Sequence, residues 1–396
     1  MSVATEQNPI DAVPGAGEAR LLDRFGQECY RATSAGFSPI GHDNPLYRPG
    51  LDEQRISAGQ PRPRWPGGAR FAVCLTHDVD NVASLDPRMH WRRIVNCGGH
   101  LRQAGNARAV RALQASLVGL CRSLNPFSGG DPVCAFERWL EMEAEVGAKS
   151  TFLFLPRHYA RPHYSDGGYR YDDRISFEGR TCSVAEMMRA IHGRGWEVGL
   201  HASWHACDSA DELRRQKEQV ETVIDAEVTS VRHHHLHFDI RRTPRLHREA
   251  GLRVDSSLGF NDNIGFRQGT CYPWLLHDFD TRSELDVLEL PLVIQDKCLI
   301  DILGCGREEW ALDWAERIVD RVEAVGGLIT LLWHPGTLAR PLYENIYRRI
   351  LQMLREKGAY FGTMREVGRT WLSTARPITD ASSKQLNEDA RAGEMA

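Results

Sequence analysis

The sequence predicts an α/β fold, a distorted (β/α) barrel of about seven or eight strands with a helical insertion after the first strand. Three observations carry that expectation. From about Arg70 onward, short β-rich runs alternate with amphipathic runs, the pattern of repeated β-α units and a largely parallel sheet. The β-rich runs number about eight, which suits a barrel. Several of them stop at clusters of His, Asp or Arg, where the mouth of a parallel barrel gathers its functional groups.

The expected strands are Arg70 to Leu75, Ser150 to Leu155, Glu197 to His201, Ser230 to His233, Leu252 to Asp255, Val287 to Val293, Leu328 to Trp333 and Ala359 to Thr363. Between them, apolar residues at three-to-four spacing predict helices over Cys134 to Val146, Val184 to His192, Glu212 to Ile224, Glu308 to Val325 and Leu342 to Glu356. Ser183 and Asp211 stand as N-caps, and Gly147, Gly193 and Gly358 stand where a left-handed C-cap falls. Two regions lie outside the alternation: an N-terminal segment over residues 1–66, rich in Gly and Pro, and an insertion over residues 81–130 within the barrel unit of 67–375. Residues 376–396 are polar and predict a disordered tail.

Composition narrows the function classes. A chain of 396 residues, 42% hydrophobic, buries a sizeable core, and a formal charge of -4 offers no global basic field for nucleic acid. The first twenty residues carry acids and no apolar run, and no uncharged stretch reaches the ~20 residues needed to span a bilayer, so the expected location is the cytoplasm. Ten cysteines without a C-x-x-C pair read as buried thiols, in keeping with a reducing compartment.

Five motifs carry chemistry. Thr76-His77-Asp78-Val79-Asp80 follows an apolar strand, and carboxylates two residues apart can divide metal binding from proton transfer; a polar turn with a capping Asp is the alternative. His201 and His205 end the next such strand with the i, i+4 spacing that, on a helix, places two imidazoles on one face to chelate a divalent ion. Arg232 opens Arg232-His233-His234-His235, either as the brace of a catalytic carboxylate or as half of a structural ion pair. His334, between an apolar strand and Pro335, projects at the rim, where a general acid or a packed histidine fits equally. Arg267 sits in a Gly-bounded loop, as a clamp for a phosphate or carboxylate or as a partner of a loop carbonyl or Asp262.

In this order, each at a strand end, the motifs resemble those of the polysaccharide deacetylase family, the NodB-homology or carbohydrate esterase family four group, over roughly Gly67 to Trp371. The first motif resembles a His-Asp-Val-Asp subgroup rather than the usual Thr-Phe-Asp-Asp-Gly. The resemblance implies Asp78 as base, Asp80, His201 and His205 as an Asp-His-His metal triad, Arg232 as the brace of the base and His334 as the acid. Histidines replace the prolines that usually follow the arginine, which leaves His234 as a fourth ligand or a substrate contact.

The expected activity is metal-dependent removal of N-acetyl groups from an amino-sugar-containing saccharide or glycoconjugate precursor. The expected cofactor is one divalent ion, zinc first, with cobalt, nickel or manganese able to take its place. Hydrolysis of another non-peptide amide, such as a cyclic ureide or formamide, and a non-catalytic carbohydrate- or lipid-binding role are the alternatives. Pro87 to Gly130 holds seven arginines and neither Asp nor Glu, so the insertion reads either as a basic amphipathic cover that contacts anionic lipid or as a solvated helical hairpin.

Overall fold

A strand buried on both faces sets the centre of the molecule: β1 (Ala72–Val79) is buried at every position, as an interior strand of a parallel sheet must be. Parallel to it on one side follow β2 (Thr151–Phe154), β3 (Glu197–Ala202), β4 (Ser230–His233) and β5 (Val254–Asp255). Beyond β5 lie a parallel β7 (Ser283–Glu289) and an antiparallel edge strand, β6 (Trp274–Asp278). On the other side of β1 stand β9 (Leu328–Leu332) and then β8 (Leu292–Gln295), while β10 (Tyr360–Phe361) pairs with the first residues of β1. This ten-stranded sheet curls into a distorted barrel. Its spatial order begins β6-β7 and ends β9-β8, yet β7 and β8 are joined only by Leu290-Pro291, so the chain itself bridges the seam.

The computed structural model describes residues 45–83, 86–101, 107–124, 135–156, 158–160 and 162–375, with three short strands, Ala12–Val13, Arg20–Leu22 and Glu28–Tyr30, in a small antiparallel sheet. The tail over 376–396 lies outside the described residues. In chain order the helices are α1 (Gly50–Ser57), α2 (Pro87–Leu101), α3 (Ala107–Ser123), α4 (Phe136–Glu145), α5 (Val184–Gly193), α6 (Ala210–Ile224), α7 (Thr243–Glu249), α8 (Glu308–Val325), α9 (Pro341–Glu356) and α10 (Met364–Thr370). α1 is tied to the barrel by Asp52, fully buried, which accepts from the Thr270 hydroxyl and the Cys271 amide at 2.7 Å each. The insertion is a helical hairpin of α2 and α3, as expected.

Local signals explain several helix ends. Ser183 caps α5 in a reciprocal box with Glu186. Asp211 does not cap α6; Ser209, in extended backbone two residues earlier, accepts from the Glu212 amide instead. Gly193 remains inside α5, and Gly195, at φ +86°, makes the left-handed exit. The run Val287 to Val293 is two strands on opposite sides of the seam, because Pro291 supplies no amide to a ladder and marks the crossing. Among the described residues, eight cysteines are free thiols, six buried, with Cys121 and Cys305 exposed.

His77 shows how the core supports the mouth. Its ring meets the Trp333 carbonyl through Nδ1 and Glu143 Oε1 through Nε2, both at 2.7 Å, and packs against Trp139 and Phe152. Glu143 on α4 also accepts from Trp196 Nε1 at 2.6 Å and the Tyr347 hydroxyl at 3.1 Å. Glu143→Ala leaves these groups buried without their acceptor and is expected to cost about 3 kcal/mol or more. Denaturant unfolding checks this, and a loss below about 1 kcal/mol would refute it.

Candidate metal centre

Thr76, His77 and Asp78 are strand residues, not a turn: they continue β1 in register with Thr151, Phe152 and Leu153 of β2. The alternation of a strand therefore sends His77 toward the helices and Thr76 and Asp78 into the barrel. There both meet Arg232, which is fully buried on β4. Its Nη1 donates to Thr76 Oγ1 at 2.7 Å and Asp78 Oδ1 at 2.9 Å, Nε to the Ser256 carbonyl at 2.6 Å, and Nη2 to Ser256 Oγ at 2.9 Å. Arg232 thus holds one oxygen of Asp78, and Oδ2 lies 3.9 Å from His201 Nε2.

Asp80, just past β1, is the hub. Its Oδ1 is buried, accepts no hydrogen bond, and lies 3.3 Å from His201 Nε2 and 3.5 Å from His234 Nε2. Its Oδ2 lies 3.8 Å from His334 Nε2. Burial by itself would raise the Asp80 carboxyl, but His201, His234 and His334 around it hold it well below the ordinary carboxylate range.

Each imidazole is anchored through its other nitrogen. His201 Nδ1 meets the Arg232 carbonyl at 2.9 Å, His234 Nδ1 meets Asp166 Oδ1 at 3.3 Å, and His334 Nδ1 meets Asp296 Oδ1 at 2.9 Å. Such outer partners orient Nε2 toward a shared ligand. Burial opposes the imidazolium of His334, but Asp296 more than offsets it, and the pKa of His334 stands above the ordinary imidazole value. Asp80, His201 and His234 bring three ligand atoms within 4.8 Å of one another, a donor set able to hold a divalent ion. The orphaned Asp80 oxygen and the anchored rings fit such an ion.

His205 is not in that cluster. The i, i+4 argument requires a helix, whereas His201 lies in β3 and His205 in a 3-10 turn over Trp204–Asp208 that begins after an extended Ser203. The His205 ring packs edge-on against His163 at 5.7 Å. His234, in the short turn that follows β4, is the residue that joins Asp80 and His201 in the cluster. Arg267 does not reach the mouth either: it is buried, donates to the Gly259 carbonyl and lies over the Phe260 ring, the structural alternative for that arginine. Asp166 and Asp296 had no motif to mark them. Asp296 alone left a trace, as an acid directly after an apolar strand end.

The cluster opens into a cleft of about 720 Å³. Asp78, Asp80 and His334 line it together with Tyr164 and Lys297, and the insertion contributes Arg93 of α2 with Ala112 and Ala115 of α3.

No protein-family model and no curated protein matches the chain. It is similar in structure to a protein described as a polysaccharide deacetylase from Mycobacterium smegmatis, at 20% identity, covering 81% of this chain and 98% of that one with a TM-score of 0.49. It is similar to the Puue allantoinase at 13% identity, covering 88% and 100% with a TM-score of 0.48. A protein described as a polysaccharide deacetylase from Pseudomonas aeruginosa matches at 15% identity, covering 85% and 98% with a TM-score of 0.47. None of these similarities bears on the substrate.

The placement of the ligands gives a test that separates His234 from His205. Elemental analysis of the purified chain after dialysis against divalent metal should find about one ion per chain. His234→Ala and His201→Ala should lose it, and His205→Ala should keep it. Loss in the His205 variant with retention in the His234 variant would restore the His201/His205 pair.

Proposed function

We propose that the chain is a metal-dependent amide hydrolase that removes N-acetyl groups from an amino-sugar-containing saccharide or glycoconjugate precursor. The observation that carries this reading is the convergence, at one barrel mouth, of a carboxylate held by a buried arginine with three anchored imidazoles around a second carboxylate. Binding alone requires neither a braced base nor a histidine oriented as an acid. The order of the motifs along the chain, which resembles that of polysaccharide deacetylases, supports a sugar amide as the substrate.

Asp80, His201 and His234 would hold the ion, with zinc the first choice for one carboxylate and two imidazoles and cobalt, nickel or manganese as replacements. A divalent ion there supplies Lewis acidity toward the amide carbonyl and the attacking water. Asp78 Oδ2 removes a proton from that water while Arg232 keeps Oδ1 fixed. His334 delivers a proton from Nε2 to the leaving nitrogen, with Asp296 holding Nδ1 and favouring the charged ring. The C–N bond breaks, and acetate and a free amine leave.

Asp78→Asn and His334→Ala should retain the metal and the fold yet lose on the order of a hundredfold in turnover. Near-normal turnover in either variant removes that residue from the mechanism. The substrate class is tested by following acetate release from a panel of N-acetylated sugars and sugar conjugates, alongside formamido sugars and small cyclic ureides. Turnover confined to the ureides would overturn the deacetylase reading, and no turnover with any metal and substrate would favour a binding role.

A further inference from the structure

The hairpin of α2 and α3 has two faces, and the cleft uses only one. On the inner side Met89, Cys97, Ala109 and Ser116 are buried, and Gly119 lies against the His90 ring so closely that a Cβ would collide with it. Arg92 binds Asp173 through both terminal nitrogens, at 2.6 and 2.9 Å, and the Gly168 carbonyl at 3.0 Å. Arg93 donates to Asn81 beside the cleft. These two arginines hold the hairpin to the barrel.

The outer side is apolar and open. Nine large apolar residues are exposed among the described residues, and six are on or directly after these two helices: Trp91 at 59%, Val95 at 58%, Val110 at 43%, Leu117 at 44%, Val118 at 53% and Leu124 at 66%. Their spacing is not random. Val110, Leu117, Val118 and Leu124 follow one another at i, i+7, i+8 and i+14, a single stripe along α3, and Trp91 and Val95 are one turn apart on α2. Trp91 and Leu120 share a shallow hollow with Pro87, Arg88 and Arg92, which joins the outer faces of the two helices. An exposed apolar surface of this kind marks an interaction site.

Charge decides the occupant. Pro87 to Gly130 contains seven arginines and no acid; Arg111 and Arg122 are exposed beside the stripe, and Arg88, also exposed, pairs with Asp86 just before α2. Two copies of this face would set arginine against arginine, which opposes self-association. An anionic surface with an apolar layer beneath it satisfies both features, and tryptophan with arginine is suited to such a boundary. We propose that the outer face of the α2–α3 hairpin docks on anionic lipid, with Trp91, Val95, Leu117 and Val118 entering the interface. No helix among the described residues is long and apolar enough to cross a membrane. Because the same helices wall the cleft, docking holds the mouth beside the lipid surface. For the reaction proposed above, and resting on it, this would admit saccharides carried on an anionic amphiphile.

The test is co-sedimentation of the full chain with vesicles of neutral phosphatidylcholine and with vesicles containing phosphatidylglycerol, at low and high salt. Wild type should bind the anionic vesicles, less at high salt. A Trp91→Ser, Leu117→Ser, Val118→Ser variant should weaken that binding at least about tenfold while keeping the circular dichroism spectrum and metal content of wild type. Asp78→Asn should bind vesicles like wild type, so failure of the catalytic reading and failure of this one are distinguishable. Absence of binding to anionic vesicles, equal binding to both kinds, or undiminished binding by the triple variant would overturn the proposal. So would a wild-type dimer that the triple substitution makes monomeric and that ignores vesicles.

Discussion

A single buried cation organises the mouth of this barrel. Arg232 lies on β4, while Thr76 and Asp78 lie on β1, with β3 and β2 between them in the sheet. A side chain can span that gap only through the barrel interior, so the guanidinium ties together strands that the backbone ladder does not join. A charge removed from water must be matched by partners, and Arg232 is matched by Asp78, Thr76 and both polar groups of Ser256. Its backbone carbonyl also fixes the ring of His201. The positions of Asp78 and His201 therefore depend on the same residue.

The histidines around Asp80 follow the same logic of orientation. Three rings come from different places, β3, the turn after β4 and the end of β9, and each is turned inward by a different acceptor. Asp166 belongs to the loop ahead of α5, and Asp296 follows β8, across the seam. A site assembled from distant segments is rigid because each ring has one nitrogen already engaged in the scaffold. Asp80 Oδ1 is one of the buried side-chain atoms that this scaffold leaves without a hydrogen-bond donor, and it is the one that faces the imidazoles.

The insertion adds to the barrel without joining its sheet. The described arginines of the insertion, which the sequence reads as part of a basic amphipathic cover or of a solvated hairpin, differ in direction once folded. Arg92 and Arg93 turn inward, to Asp173 and Asn81, while Arg88, Arg111 and Arg122 are exposed beside the apolar stripe. Side-chain direction on a helix, not composition, makes that division.

By itself, the sequence determined what depends on local pattern. The β-α alternation, the N-cap of α5 at Ser183, the helical insertion, and the strand ends carrying Asp78, Asp80, His201, Arg232 and His334 were legible because period, capping chemistry and apolar runs are short-range properties. Tertiary structure decided what depends on how distant segments meet. His205 has the spacing of a ligand but lies in a 3-10 turn after a strand, so helical geometry does not apply to it. His234 lies beside Asp80 because the chain bends just after β4 and Asp166, 68 residues earlier, holds the ring. Val287 to Val293 reads as one strand because nothing local shows that Pro291 marks the crossing of a barrel seam. A ligand set is a property of converging side-chain vectors, and those exist only once the sheet has curled.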